Sequence, residues 1–465
     1  MMLKQPHPIR RGLTVTGGFI AFVGLFLVIN HTILRGQSIR DIELYFDYSQ
    51  QILTGNIPYL DFAAEYPPAA FLAMLPPQLF AQGNLEQYRI FFAAEMVLFV
   101  LWGGLLVLAI ESPFNGKLAL QSFLRWGFTW GLIIVAIAAL LFWLSPLVFL
   151  IVLIITAIGS IWRTQRLNAQ QKQTLAAYGI YILILSPLWL WRYDFFVVLL
   201  TLITLLSLRR ARPIFVGVSL ALGILAKLYP IVMLPPIALF YFSPRAYSAL
   251  TKFLLALFIT LAIGIAPFIW LDAQQFISFL TYHQERPLQL ESLPAGLAIL
   301  LKQWDWLAVE KVFSHSSEGL IFAGDQLILH FLPFLFISAA SWSSYWLWRY
   351  FSCVSHKGAQ ISLGAIASGC LLLHLIFILS NKVFSPQYVI WLLPFVLLLG
   401  QRDRFIYLCV CLLTILVYPT FYDRLMDSLP VALLLNMRNG LMVVWSILLV
   451  QTLRSPQTYF TRMTS

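Results

Sequence analysis

Apolar runs of about the length needed to cross a bilayer follow one another along almost the whole chain. A transmembrane helix needs about 20 predominantly apolar residues, and fewer where one end is buried in protein. On this template the sequence predicts fourteen spans, at 13–34, 88–110, 124–144, 145–162, 175–191, 193–208, 213–227, 229–242, 253–271, 321–348, 361–379, 389–400, 405–420 and 431–450. Because several runs are short, we expect 12 to 14 transmembrane helices in one integral membrane domain, residues 1–465.

Composition supports this fold class. Apolar residues make up 60% of the 465 residues and charged residues only 11%, with a mean hydropathy of +0.84. A soluble globular protein carries about 25% charged residues, so an ordinary soluble fold, a disordered chain and a disulfide-rich secreted scaffold are excluded. The run after the basic N-terminus has no small-residue cleavage site, and we interpret it as a retained first span. The prediction is an all-α polytopic membrane protein.

Charge bias gives the expected orientation. Lys and Arg favour cytoplasmic loops. With the N-terminus inside, the inner segments hold 19 of the 30 cations and two acids, a net charge of about +17. The outer segments hold the other 11 cations and 15 acids, a net charge of about −4, while Glu95 and Asp325 fall within predicted spans. The net charge is +11, but the sequence has no basic block with interleaved aromatic residues, which argues against nucleic acid as a partner.

Two outer segments, residues 35–87 and 272–320, are much longer than a connection requires. Long loops in a compact fold are usually functional, so we expect chemistry on the extracytoplasmic face, with 35–87 as the catalytic loop. The chain has no glycine-rich nucleotide-binding loop, which argues against an ATP-driven pump and a cytoplasmic nucleotide-sugar enzyme.

The first outer loop predicts a helix from Asp41 to Leu53. Ile42, Phe46, Ser49 and Leu53 recur at helical spacing, so this stripe should lie flat in the membrane interface. Two further faces separate the remaining polar side chains, with Asp41, Tyr45 and Tyr48 on one and Glu43 and Asp47 on the other.

Asp41 is the candidate base, because a partly desolvated carboxylate at headgroup depth can accept a proton from a substrate hydroxyl. It can equally be a helix cap. Glu65 precedes Pro67 and Pro68, where it either favours the positive end of a helix dipole or supplies a second acid to the site. The short apolar stretch 69–82 should lie along the membrane surface, or dip in and return.

Three outer cations from separate loops, Lys227, Arg286 and Lys382, can neutralise a phosphate if the fold brings them together. Lys227 alone can also extend to headgroup phosphates without further function. We interpret the turn Arg192-Tyr193-Asp194 as a surface ion pair or local anchor. His330 and His374 should be satisfied by neighbouring helices, and no His and acid residues have metal-ligand spacing.

Several motifs occur in order between residues 38 and 395. They are an Asp followed by aromatics, G-x-x-P-Y-x-D-F-x-x-E-Y-P-P from Gly55, K-x-Y-P from Lys227, R-x-x-Q-x-E-S-L from Arg286 and S-x-Q-Y from Ser385. This series resembles glycosyltransferase family 87, which includes polyprenyl-phosphate-mannose-dependent mannosyltransferases of the GT-C fold. The resemblance implies a polyprenyl-phosphate-sugar-dependent hexosyltransferase of a bacterial cytoplasmic membrane, with inversion at the anomeric carbon and Asp41 as catalytic base.

From these motifs and loops we assign a complete candidate site. The catalytic residue is Asp41, and no metal or cofactor is expected. The residues expected to bind the acceptor or the donor sugar are Tyr45, Tyr48, Asp61, Glu65, Tyr66, Gln289 and Glu291. Those expected to bind the donor phosphate are Lys227, Tyr229, His283, Arg286 and Lys382. The expected partners are a lipid-linked sugar donor, a glycolipid or glycan acceptor, and membrane lipid.

Two other functions remain open at this point. A transporter or flippase of a lipid-linked glycan would use the intramembrane acids Glu95 and Asp325, although the repeated halves common in transporters are not found in the sequence. A non-catalytic scaffold for envelope assembly would bind glycolipid without releasing polyprenyl phosphate.

Overall fold

The computed structural model describes residues 40–112, 167–284, 286–314 and 317–454. The predicted spans 13–34, 124–144 and 145–162 lie outside these ranges. The described chain is mostly helical, at 76%. Five of its helices are long and apolar enough to cross a membrane, which confirms a membrane-embedded, helical architecture.

The first half of the described chain contains nine α-helices. They are α1 (Arg40–Leu53), α2 (Leu75–Ala81), α3 (Leu85–Glu111), α4 (Ala169–Ile184), α5 (Ser186–Trp189), α6 (Asp194–Arg209), α7 (Pro213–Ala226), α8 (Leu234–Phe242) and α9 (Tyr247–Gln284), with 3₁₀ turns at Pro68–Ala73 and Tyr229–Met233. Within α9 the backbone leaves the helical region at Asp272 (φ −158°, ψ 99°), directly after the predicted span 253–271.

The second half adds α10 (Leu293–Lys302), α11 (Asp325–His356), α12 (Leu363–Leu379), α13 (Leu393–Val396), α14 (Gln401–Ile415) and α15 (Leu429–Arg454). A 3₁₀ turn at Pro386–Leu392 precedes α13, and a π turn at Leu416–Thr420 and a 3₁₀ turn at Tyr422–Arg424 follow α14. Each of the eleven predicted spans in the described ranges overlaps helical structure, although the span 321–348 begins in a strand and six apolar helical segments are shorter than a full crossing.

Helices α6 and α12 form the centre of the bundle, since almost every residue of each is buried. At the periphery, α9 and α11 expose apolar side chains such as Trp270 (90% exposed) and Leu327 (76%). Exposed apolar helix surfaces of this length are expected where lipid replaces water.

A small antiparallel sheet was not predicted. It has the order β1-β3-β2, with β1 at Leu288–Gln289, β2 at Val309–Ser314 and β3 at Ser317–Phe322. Gly319 of β3 pairs with Gln289, and a Cβ on this glycine would lie 2.5 Å from Pro287 Cγ, so the close approach needs a residue without a side chain. The predicted span 321–348 therefore starts too early, because its first apolar residues belong to β3.

The predicted outer segments meet at one end of the bundle. The first loop contacts the turn before α6, and β1 donates from Gln289 N to Lys382 O at 2.9 Å. At the other end, predicted inner segments meet, for example through Arg209, which donates to the Ser112 carbonyl at 3.1 Å. The grouping of loops agrees with the charge bias, and the identity of the outer side stays a prediction.

Candidate active site

Asp41 lies in the first turn of α1 and forms an ion pair with Arg192. The Nε of Arg192 donates to Asp41 Oδ2 at 2.7 Å, and the two side chains are 17% and 37% exposed, respectively. Burial by itself lowers the pKa of Arg192, but Asp41 and Tyr418 outweigh it and raise this pKa above its ordinary value. Arg192 is therefore a permanent cation that orients the Asp41 carboxylate.

The faces of α1 follow the sequence prediction in part. Tyr45 and Tyr48 are buried, while Glu43 and Asp47 are exposed. The prediction for the apolar stripe is wrong, because Ile42, Phe46 and Ser49 are buried against protein and only Leu53 is exposed. Ser49 shows why, since its hydroxyl donates to the Met74 carbonyl at 2.9 Å and ties α1 to the segment preceding α2.

Three tyrosine rings form a wall beside Asp41. The ring centroids of Tyr45 and Tyr66 are 5.8 Å apart, those of Tyr45 and Tyr193 5.5 Å, and those of Tyr66 and Tyr193 5.3 Å. Burial raises the pKa of Tyr45 and Tyr66 well above the ordinary value, so both phenols remain protonated at neutral pH. The Tyr193 hydroxyl donates to the Ala226 carbonyl at 3.2 Å, and of the three rings only that of Tyr66 is partly exposed.

The segment carrying Glu65 is fixed by two tyrosines. Glu65 N donates to the Tyr48 hydroxyl at 3.3 Å, and the Tyr59 hydroxyl donates to the Tyr66 carbonyl. Asp61 is exposed, and its Oδ2 accepts from Ile57 N at 2.7 Å. Asp61 thus stabilises its own turn, whereas the half-buried Glu65 lies next to the tyrosine wall.

Arg192, Tyr193 and Asp194 are not the surface anchor that we predicted. Tyr193 and Asp194 are fully buried, and each of the three side chains interacts with a different part of the site. A buried charge is stable only when it is paired, which explains why this turn gathers partners from distant segments. The Arg-x-Asp pattern does not identify these residues as part of the site, because the same pattern occurs in ion pairs on a protein surface.

Lys227 lies in a buried ion pair with Asp194. Its Nζ donates to Asp194 Oδ1 at 2.7 Å, and the same oxygen accepts from Trp391 Nε1 at 2.6 Å. The Lys227 ammonium is also 5.0 Å from the Tyr193 ring centroid and 5.5 Å from that of Trp391. Lys227 is therefore engaged by an acid and two aromatic rings, which favours a structural role over the predicted contact to phosphate.

Trp391 is the centre of an aromatic stack. Its ring centroid lies 3.9 Å from that of Tyr229 and 3.8 Å from that of Tyr388. This places Tyr229, predicted to contact the donor phosphate, inside the stack beneath the site. Neither Trp391 nor Tyr388 was predicted as a site residue, and only the S-x-Q-Y motif pointed to their neighbourhood.

Arg286 and Lys382 are two further cations of the candidate site, and they come from separate loops. Both are half-buried, and the backbone hydrogen bond from Gln289 N to Lys382 O joins their loops. The Gln289 side chain donates to Ser385 Oγ at 3.2 Å. Burial, and then the charge of Arg286, lower the pKa of Lys382. Two like charges that act on each other in this way favour an anionic ligand.

Glu291 is a structural residue. It is fully buried with Arg438, whose Nη1 donates to the Glu291 carboxylate and whose Nη2 donates to its carbonyl at 2.9 Å. The Arg438 guanidinium lies 4.0 Å from the Phe384 ring centroid. Enclosed in this way, Glu291 does not present its carboxylate to a sugar, contrary to the prediction.

Charges from separate loops influence one another at this end of the bundle. Arg192, bound to Asp41, also acts electrostatically on Glu291, two residues from Gln289. Tyr388 is under the electrostatic influence of both Asp194 and Arg286. The side chains of His283 and Glu285 lie outside the described part of the chain.

The remaining polar residues do not form a second centre. Asp325 is the first residue of α11 and lies at the end of a candidate span, and Glu95 has its Oε2 buried within α3. The Nδ1 atoms of His330 and His374 are hydrogen-bonded to carbonyls of their own helices, at 2.6 and 2.7 Å, and the His374 ring also packs against Tyr229 and Phe395 of neighbouring segments. Among the residues that the structure describes, no three His, Cys, Asp or Glu side chains form a metal-binding group.

Comparisons with protein-family models, with curated proteins and with solved structures find no match to this chain.

Proposed function

We propose that this protein is a membrane glycosyltransferase that moves a hexosyl group from a polyprenyl-phosphate sugar to a hydroxyl of a lipid or glycan acceptor, with inversion. One observation carries the proposal. The partly exposed carboxylate of Asp41, fixed by Arg192, lies at the same end of the helical bundle as the adjacent cations Arg286 and Lys382. A base and an anion site are the two parts that such a transfer requires.

In this mechanism Asp41 acts as general base. Arg192 holds Oδ2, and Oδ1 takes the proton of the acceptor hydroxyl as the acceptor oxygen attacks the anomeric carbon. The bond from the anomeric carbon to the phosphate oxygen breaks, and its electron pair stays with the leaving polyprenyl phosphate. A single displacement from the opposite face inverts the configuration.

Arg286 and Lys382 stabilise the departing phosphate, where negative charge grows in the transition state. Arginine offers a planar fork that matches two phosphate oxygens, and lysine adds a point charge. The partly exposed phenol of Tyr66 supplies a hydrogen-bond donor to a sugar hydroxyl beside Asp41, while the buried rings of Tyr45 and Tyr193 pack against the Tyr66 ring.

An apolar groove beside the site suits the lipid tail of the donor. It has a volume of about 360 Å³ and is lined by the first loop, α7 and α9, including Pro68, Leu72, Leu222, Leu225, Gly264 and Phe268. Phe268 stacks edge to face with Tyr59 at 5.1 Å, and Tyr59 is bonded to the Tyr66 carbonyl in the tyrosine wall. The groove therefore begins next to the proposed sugar site.

The decisive experiment measures release of polyprenyl phosphate from a panel of polyprenyl-phosphate sugars by the purified, vesicle-reconstituted protein. We expect one donor to be turned over, and Asp41→Asn to lower turnover by about 10² to 10⁴-fold, the usual contribution of a general base. Asp47→Asn, an exposed acid on the same helix, is the matched control and should keep full turnover.

Anomeric configuration of the product, followed by NMR, tests the single displacement. Retention of configuration would contradict it. Release from none of the donors would contradict the proposed function, and near-normal turnover by Asp41→Asn would remove Asp41 from the base role.

A further inference from the structure

Two arginines from different helices lie on the same tryptophan at the end of the bundle away from Asp41. Arg454, in the last turn of α15, has its guanidinium carbon 4.4 Å from the ring centroid of Trp346 in α11 and 5.3 Å from that of Trp342. Arg349 of α11 lies 5.8 Å from Trp346 and donates from Nη1 to the Tyr345 hydroxyl at 3.3 Å. We call Arg349, Arg454, Tyr345 and Trp346 the arginine–indole cluster.

The cluster is remote from the candidate active site. Arg438, which binds Glu291 at the active-site end, precedes Arg454 by 16 residues of α15. At a rise of about 1.5 Å per residue, the two arginines are about 24 Å apart along the helix axis. The cluster is therefore independent of the proposed transfer chemistry.

Its depth corresponds to a membrane interface. About 20 residues of helix cross the hydrocarbon, so a span that starts with α11 at Asp325 ends near Tyr345, and one that starts with α15 at Leu429 ends near Leu449. Trp346 and Arg454 lie just past these points. Tryptophan and tyrosine concentrate at headgroup depth.

The hydrogen-bonding capacity of the cluster points outward. Within the part of the chain that the structure describes, neither Arg349 nor Arg454 forms a salt bridge with a carboxylate. The Nε1 of Trp346 is buried, so the donors open to a ligand are those of the two exposed arginines. Guanidinium groups stacked on rings keep their N–H edges available, and two such edges suit the oxygens of a phosphodiester.

We propose that the arginine–indole cluster binds the headgroup of an anionic phospholipid. A lipid is favoured over a free anion because the surface beside the cluster is apolar and exposed, with Phe334 at 65% and Ile337 at 60% exposure. Acyl chains can lie along this surface of α11 while the phosphodiester meets both arginines. Charge bias assigns this end to the cytoplasmic leaflet, which carries anionic lipid.

The test is native mass spectrometry of the full-length, detergent-solubilised protein titrated with phosphatidylglycerol and, separately, with phosphatidylcholine of the same acyl chains. We expect tighter binding of phosphatidylglycerol. Each of Arg349→Gln and Arg454→Gln should weaken it roughly fivefold, the effect of one basic residue at an anionic surface.

Two controls separate this site from non-specific charge. Arg245→Gln removes an exposed arginine elsewhere and should leave binding unchanged, while Arg454→Lys keeps the charge and most of the affinity. Equal binding of the two lipids by the wild type, or unchanged phosphatidylglycerol binding by the double variant Arg349→Gln/Arg454→Gln, would overturn the proposal. Displacement of phosphatidylglycerol by equimolar inorganic phosphate would instead indicate a site for the free anion.

Discussion

Arg192 and Asp41, separated by 151 residues in the sequence, are joined by a hydrogen bond of 2.7 Å from Nε to Oδ2. The pair connects the first helix of the first loop to the turn that begins α6, one of the two central helices of the bundle. A carboxylate held in this way has a fixed direction, because α6 is anchored by the core. The orientation of Asp41, the proposed general base, therefore depends on Arg192.

Replacing Arg192 should impair turnover more than substrate binding. Arg192→Gln leaves Asp41 without its charged partner, and we expect kcat to fall about 10²-fold, the usual effect of a misplaced catalytic group. Arg192→Lys keeps the charge but not the planar fork and should give an intermediate value. Steady-state kinetics with the donor that the release assay identifies provide the measurement.

Arg89→Gln is the matched control for Arg192. Arg89 of α3 binds Glu43 of α1 at 2.9 Å. Glu43 lies on the exposed face of α1, away from Asp41, so the loss of Arg89 should leave kcat unchanged. Full turnover by Arg192→Gln, or an equal loss in both variants, would contradict an orienting role.

The pair of Asp194 and Lys227 should determine stability rather than donor affinity. Lys227→Met leaves the Asp194 charge buried and unpaired, which costs about 3–5 kcal/mol of unfolding free energy. The double variant Asp194→Asn/Lys227→Met removes both charges and should recover part of the loss. Thermal unfolding in detergent measures the stability, and the donor KM of whichever variants fold measures the affinity. If Lys227→Met raised KM strongly without lowering stability, Lys227 would be a phosphate ligand after all.

Much of the local structure could be predicted from the sequence because it depends on local periodicity. The helix at residues 40–53, its separate Asp41 and Glu43 faces, and the helical turn after Pro67 follow from residue spacing and proline geometry alone. Proline at the first helical position places the start of that turn at Pro68. Charge bias likewise grouped the loops that meet at each end of the bundle.

The partners of the charged residues could not be predicted in the same way, because pairing depends on tertiary contacts. From the sequence, Glu291 is predicted to be a loop acid that binds a sugar. In the structure it forms an ion pair with Arg438, which lies within the predicted span 431–450. That position was the available signal, since an arginine inside a span requires a partner. The sheet was missed because β3 ends in apolar residues that run on toward α11.

Gly217 and Gly179 offer a matched test of helix packing. A Cβ on Gly217 of α7 would lie 2.4 Å from the carbonyl oxygen of Phe253 in α9, whereas one on Gly179 of α4 meets nothing within 4 Å. Gly217→Ala should therefore force α7 and α9 apart and destabilise the protein by about 1–3 kcal/mol. Gly179→Ala should be neutral or stabilise it by up to about 1 kcal/mol, as alanine favours a helix.

Thermal unfolding of the two variants, side by side in the same detergent, gives the comparison. If Gly217→Ala were as stable as the wild type, α7 and α9 would have to lie farther apart at Gly217 than described here. If Gly179→Ala destabilised the protein, the space beside Gly179 would have to be occupied by other atoms.

Donor affinity should depend on pH through Lys382. Burial and the neighbouring Arg286 lower the pKa of this lysine, so it loses its proton at a lower pH than an exposed lysine. In the proposed function the charged form binds the donor phosphate, so the donor KM should be lowest below this pKa and rise as pH increases through it. Lys382→Arg keeps its charge in that range and should abolish the alkaline rise in KM, whereas Lys382→Met should have a raised KM below this pKa and no rise through it.

Lys302→Arg is the control for this pH dependence. Lys302 lies at the same end of the bundle, where it binds Asp427 at 3.2 Å, and its replacement should leave the profile unchanged. Initial rates at several donor concentrations between neutral and alkaline pH separate KM from kcat. An alkaline rise in KM that persists in Lys382→Arg must come from another group, since arginine remains protonated throughout, and Lys382 would then have no part in binding the phosphate.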